Sequence, residues 1–238
     1  MTTRPEQTGK KTLHEGVKSA WPICLGYIPI GLAFGVLARK AGLSPFQIGI
    51  MSIFVFAGSS QFIAVSMIVE GAGPLAIIAT TFMVNLRHLL MSSSLSVFPG
   101  KAGKLRLSLF AYGITDESFA INFSKFAKGF WDLDRAIVLN QTANLVWILS
   151  TIAGGFGGQF IPEKAFGIDY ALIAMFICLL VFQLRGHIYV ISAVLSGMLA
   201  VFLSIRVPGN SYIVIASMVA AAVGVGVKRK FLIRGKKT

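Results

Sequence analysis

The sequence predicts an all-α polytopic membrane protein of about six to eight transmembrane or re-entrant helical segments. Three observations carry this. Apolar residues make up 55% of the chain and charged residues only 13%, against about 45–50% and about 25% in a soluble domain. Nine acids and 22 bases cannot cover a wetted surface for 238 residues unless lipid replaces much of the water. The charges also fall in the tails and in short connections between long apolar runs. A lipid-embedded backbone must bond to itself, which makes helices the default over a weakly patterned barrel.

Eight apolar runs follow in order: 17–37, 46–69, 74–98, 105–124, 136–160, 166–184, 187–205 and 209–227. The first holds Pro22, Gly26, Pro29, Gly31 and Gly35, residues that break or thin a helix. The second contains F-A-G-S-S-Q-F, in which Gly58, Ser59 and Ser60 allow close approach or local unwinding and Gln61 offers a donor and an acceptor. Helix packing through small residues and the lining of a substrate path both account for it. The third contains N-L-R-H. Asn85 and His88 share a helical face, and Arg87 points elsewhere, toward a lipid phosphate, an internal acid or a substrate carboxylate.

The fourth run contains T-D-E-S-F, with two adjacent acids inside apolar sequence. Helical geometry sends Asp116 and Glu117 in different directions, so each needs its own partner, a proton or water. Asp116 is read as the acid that exchanges a proton and Glu117 as the partner of Arg87, with His88 as the alternative relay. In the fifth run Asn140 and Asn144 lie at i, i+4, suited to interhelical bonding or to path lining. That run ends G-G-F-G-G, a second candidate for a broken or re-entrant element.

Loop charges give a topology. With both tails inside and eight crossings, Arg39, Lys40, Lys101, Lys104, Arg106, Lys164 and Arg206 face outward, against the positive-inside tendency. Making runs one and five re-entrant turns Arg39, Lys40, Lys101, Lys104, Arg106 and Arg185 inward and leaves Lys125, Lys128, Arg135, Lys164 and Arg206 outside. That arrangement gives two halves, 17–127 and 136–227, within one membrane domain, inverted repeats if each makes three crossings and parallel ones if each makes four, followed by a basic cytoplasmic tail at 228–238.

Other classes fit poorly. The net charge of +13 comes with no basic stripe, aromatic interleaving or zinc spacing, so no nucleic-acid role is expected. Cys24 and Cys178 sit in apolar runs and read as buried hydrophobes. The basic start followed by a long run rich in Pro and Gly reads as a retained segment rather than a leader. No nucleotide loop, metal motif or nucleophile arrangement is present, so no enzyme, cofactor or metal is expected.

The segments V-F-A-G-S-S-Q-F at 55–62, M-V-N-L-R-H at 83–88 and G-I-T-D-E-S-F-A at 113–120 resemble, in that order, those of the AzlC family of branched-chain amino acid permeases. The resemblance runs from about residue 16 to 227. It implies the large subunit of a bacterial inner-membrane exporter of branched-chain and related neutral amino acids, working with a small AzlD-type membrane partner and driven by proton exchange. It marks Gly58, Ser60, Gln61, Asn85, Arg87, His88, Asp116 and Glu117 as the family's characteristic residues. The family often has an aromatic residue after N-L-R-H, where this chain has Leu89, Leu90 and Met91. A free amino acid carries both charges, so Arg87 would serve its carboxylate and Asp116 or Glu117 its ammonium. A non-transporting scaffold and a small-solute channel are the competing readings.

Overall fold

The computed structural model describes residues 5–160, apart from 101 and 130, and 187–206, with positions 177, 181, 184, 216, 219, 220 and 222–224. Most of the apolar runs at 166–184 and 209–227, together with Lys164, Cys178, Arg185 and the basic tail, lie outside the described residues. The chain divides into two compact units, Met1–Glu70 with Val84–Ala171, and Gly71–Met83 with Leu172–Thr238.

The helices are α1 (Pro5–Lys40), α2 (Pro45–Phe54), α3 (Gly58–Val69), α4 (Pro74–Leu95), α5 (Lys104–Tyr112), α6 (Asp116–Ala127), α7 (Leu133–Gly157), and α8 (His187–Ser204), with a short 3-10 turn at Gly158–Phe160. Among the described residues α1, α4 and α7 are long and apolar enough to cross a membrane.

The first unit is built on α1 and α7. Both were expected to break, and both run unbroken. Their glycines serve another purpose. A Cβ on Gly35 would stand 2.1 Å from the Thr151 carbonyl oxygen, and one on Gly154 2.2 Å from that of Leu32. The two backbones therefore touch, and only glycine permits it. Pro22 and Pro29 sit inside α1 without ending it. Close by, Ser150 Oγ of α7 donates to the Tyr27 carbonyl at 3.4 Å.

The discontinuities fall instead in the second and fourth runs. Pro45 and a reciprocal Ser44–Gln47 capping box start α2. It descends along α7 from the Lys40 end of α1: Gly49 lies against Ile152, and Ser52 bonds Thr151 at 2.8 Å. The helix stops, residues 55–57 are extended or irregular, and α3 starts at Gly58. It turns back, since Gln61 donates to Ser52 at 3.0 Å and Phe62 packs on Phe34 of α1.

Helix α5 descends along α7 from the other end. Arg106 pairs with Asp134, Gln141 donates to the Leu109 carbonyl at 2.9 Å, and Asn144 to the Tyr112 hydroxyl at 3.3 Å. Residues 113–115 interrupt the helix. A reciprocal Thr115–Ser118 box then starts α6, with Asp116 and Glu117 in the first turn, where helix N-termini favour acids. It returns along α1 from Tyr27, near Glu117, to Ser19, which accepts from Lys125 at 2.6 Å.

Two helical hairpins thus enter from opposite ends of the α1–α7 pair and meet midway, where Tyr112 donates to the Ile53 carbonyl at 2.5 Å. The last turns of α4 return to the α5–α6 end, where Leu95 packs with Phe110, Phe126 and Leu133. This corrects both charge counts. Lys104, Arg106, Lys125, Lys128 and Arg135 all lie at the end of the unit that holds the N-terminal part of α1, because Arg106 pairs with Asp134 and Arg135 bonds Glu15 at 2.5 Å. Arg39 and Lys40 lie at the opposite end.

The interior is mainly apolar but encloses a set of polar side chains. Gln61, Asn122, Asn140, Ser52, Ser60, Ser118 and Thr151 are fully buried, while Trp21, Leu25, Leu89, Leu90 and Leu149 are exposed. A protein solvated by lipid can afford this arrangement when every buried polar group finds a partner. In the second unit, Gly224 approaches Ser192 of α8 so closely that a Cβ would stand 2.4 Å from its hydroxyl.

Candidate functional site

The two hairpin tips bring the sequence motifs to one level. Arg87, on α4, reaches across both. Its Nη1 lies 2.6 Å from Asp116 Oδ2 in the first turn of α6, and its Nη2 donates to Ser59 Oγ at 2.6 Å in the first turn of α3. Its neighbours serve the same joint. Ser60 donates to Asn85 Oδ1 at 2.5 Å, and His88 Nδ1 lies 2.8 Å from the Ile114 carbonyl oxygen, inside the α5–α6 break.

Glu117 is not the partner of Arg87, contrary to the sequence expectation. Its Oε2 accepts from the Tyr27 hydroxyl at 2.8 Å, and the same hydroxyl lies 2.9 Å from Thr115 Oγ1. The 100° step between consecutive helical residues does separate the two acids as expected, but it aims Asp116 at α4 and Glu117 at α1. The local unwinding expected at Gly58–Ser60 lies just before them, at 55–57. Gly58 itself packs against Trp147, where a Cβ would stand 3.1 Å from the ring.

Gln61 is fully enclosed. Its Nε2 donates to Ser52, and its Oε1 accepts from Trp147 Nε1 at 2.8 Å. Asn140 donates to the Phe110 carbonyl at 2.9 Å and accepts from Asn122 at 2.9 Å, while Asn122 also accepts from Trp131. Asn144, one turn on, reaches only Tyr112. Gln61, Asn140 and Asn144 therefore tie both hairpins to α7. Ser59, Arg87, His88, Asp116 and Glu117 form the joint between the tips.

The joint is partly open. The side chains of Arg87 and Asp116 are 29% and 36% exposed. Arg87 Nε and His88 Nε2 are buried and have no hydrogen-bond partner among the described residues. A cation, two acids and spare donors at one level can hold a small zwitterion, the carboxylate on Arg87 and the ammonium on an acid. Tyr27, Trp147, Thr115, Ser52 and Tyr112 complete the assembly and were not singled out in the sequence. Of these only Thr115 carries a local signal, a Thr three residues before Ser at the start of an acidic turn.

Comparison with known proteins matches residues 22–161 to the family described as AzlC protein. The inner membrane protein YgaZ of Escherichia coli is 30% identical over 204 residues, covering 82% of this chain and 83% of that protein. The branched-chain amino acid transport protein AzlC of Bacillus subtilis is 31% identical over 202 residues, 83% of this chain and 78% of that protein. An uncharacterized membrane protein of Helicobacter pylori is 27% identical over 229 residues, 92% of this chain and 99% of that protein. No solved structure matches the chain.

Proposed function

Since the chain belongs to the AzlC family of membrane transport proteins, we propose that it is a secondary exporter of branched-chain or related neutral amino acids, working in the bacterial inner membrane with a small AzlD-type subunit. The names of the Escherichia coli and Bacillus subtilis relatives support the membrane and the substrate class. The observation that carries the reading is the Arg87–Asp116 ion pair, 2.6 Å long, closing the joint between two oppositely inserted hairpin tips. Discontinuous helices meeting at mid-depth are where secondary transporters hold charged substrates. Here a zwitterion opens the pair by exchange. Its carboxylate takes the place of Asp116 on Arg87, and its ammonium takes the place of Arg87 on Asp116. Ser59 adds a neutral hydrogen bond, and Tyr27, Phe56 and Tyr112 offer apolar surface to the aliphatic side chain.

Glu117 is the proton-exchanging acid, because a hydroxyl rather than a cation holds it. His88 is the second relay candidate. Within the first half, 17–127, α1 with α2–α3 and α4 with α5–α6 act as inverted repeats. The end carrying Lys18, Lys104, Arg106, Lys125, Lys128 and Arg135 faces the cytoplasm, in keeping with the positive-inside tendency, and places the N-terminus there.

The test is efflux of labelled valine from proteoliposomes holding the chain and its small partner. The double variant Arg87→Ala, Asp116→Ala removes both charges together, so neither is left buried alone. Folded double variant with efflux at least about tenfold below wild type, the loss of one charge-assisted contact, is the expected result. Equal efflux would sink the assignment.

A further inference from the structure

The end of the first unit opposite Lys40 holds a cavity of about 470 Å³ lined by Glu15, Lys18, Ser19, Lys125, Lys128 and Trp131. It lies where α1, the end of α6 and the start of α7 converge, well away from the Arg87 joint. Its charges are arranged rather than scattered. Arg135 engages Glu15, the one acid in the wall, at 2.5 Å, and also pairs with Asp132. Lys125 is held in place: its Nζ donates to Ser19 Oγ at 2.6 Å and stands 4.2 Å from the centre of the Trp131 ring. That ring is itself fixed by its bond to Asn122 at 2.9 Å. An ammonium has three donors, so Lys125 retains two. Lys18 and Lys128 are exposed at the rim with no acid paired to either among the described residues.

Three lysines converging on a cavity whose single acid is held by Arg135 form a receptor for a compact anion with several acceptor oxygens. Two features add a hydrophobic continuation. Trp21 and Leu25 follow Lys18 by three and seven residues, hence on its face of α1, and are 59% and 54% exposed. Trp131 stands where an aromatic ring marks a membrane–water boundary. We infer that this cavity binds a phosphate group, either the headgroup phosphate of an anionic phospholipid whose chains run along Trp21 and Leu25, or phosphate free in the adjoining solution. Basic pockets between membrane helices recognise headgroups by this chemistry. Occupancy ties α1 to the α5–α6 hairpin, because Lys18 comes from one and Lys125 and Lys128 from the other.

Native mass spectrometry of the full chain in neutral detergent tests this, with phosphatidylglycerol and phosphatidylcholine as probes and inorganic phosphate as competitor. Lys18→Gln with Lys128→Gln removes the two exposed ammonium groups, and Lys18→Arg with Lys128→Arg keeps the charge. Wild type should take up phosphatidylglycerol at least about tenfold in preference to phosphatidylcholine, the Gln pair should lose that preference, and the Arg pair should keep it. Persistence of the lipid adduct in millimolar phosphate identifies the headgroup as the occupant. Displacement by phosphate, or a phosphate adduct in place of the lipid, identifies the free anion. Equal uptake of both lipids with no phosphate adduct, or a folded Gln pair that binds as wild type does, overturns the inference.

Discussion

Replacing Gly35 by alanine should separate the two central helices. The added Cβ would lie 2.1 Å from the Thr151 oxygen, 2.5 Å from the Gly155 nitrogen and 2.7 Å from the Gly154 carbonyl carbon. All three are backbone atoms and cannot rotate aside, so α1 and α7 must part by roughly 1 Å to reach ordinary contact. Overpacking of that kind costs about 1–3 kcal/mol. Alanine returns about 0.8–1 kcal/mol through its better helix propensity. Gly26 provides the control on the same helix, because a Cβ there meets nothing within 4 Å. Gly26→Ala should be neutral or stabilising by up to about 1 kcal/mol. The two variants should therefore differ by about 1–3 kcal/mol in reversible unfolding in mixed micelles, followed by far-ultraviolet circular dichroism. Agreement within about 0.5 kcal/mol, the scatter of harmless surface changes, would refute the backbone contact.

Three further outcomes are expected. Glu117→Gln should flatten the dependence of efflux on external pH, while Asp116→Asn should lower efflux at every pH; a normal profile in folded Glu117→Gln would transfer the relay to His88. Trp147→Phe should leave the Gln61 oxygen buried without its donor, costing about 1–3 kcal/mol in the same unfolding titration, and an unchanged midpoint would exclude that bond. With Cys24 and Cys178 replaced by serine, a membrane-impermeant maleimide should label Lys40→Cys on intact cells, but Lys104→Cys and Lys128→Cys only after permeabilisation. Labelling of Lys104→Cys and Lys128→Cys from opposite sides would show that α5–α6 crosses the membrane instead of doubling back.

The helical character and the polar joint were legible in the sequence because both depend on local composition: long apolar runs, and charges that lipid tolerates only in partnership. Arg87, Asp116, Glu117, Ser59 and His88 do come together. Where the helices break was misread. Glycine and proline signal a break only when nothing packs against them, and at Gly31, Gly35 and Gly154 the partner helix lies more than a hundred residues away in sequence. The true interruptions, at 55–57 and 113–115, carry weaker local marks. Thr115 and Ser118 form a capping pair, yet Ala57 makes no side-chain cap at all. Charge counting failed for the same reason. It needs the hairpins identified first, and moving them from runs one and five to runs two and four gathers Lys104, Arg106, Lys125, Lys128 and Arg135 at one end of the first unit, opposite Arg39 and Lys40. The pairing of Arg87 with Asp116 rather than Glu117 depends on where α6 begins, since shifting its first residue by one would exchange the two acids.

Both hairpins lean on α7, yet ribosomes deliver α7 after either of them. Until residues 133–157 emerge, Gln61 lacks Trp147, Ser52 lacks Thr151, and the Phe110 carbonyl lacks Asn140. A nascent chain therefore holds two helical hairpins with unsatisfied polar groups, in need of shelter until their wall arrives. A message truncated before codon 133 would yield a product without that wall, exposed to membrane quality-control proteases from the start.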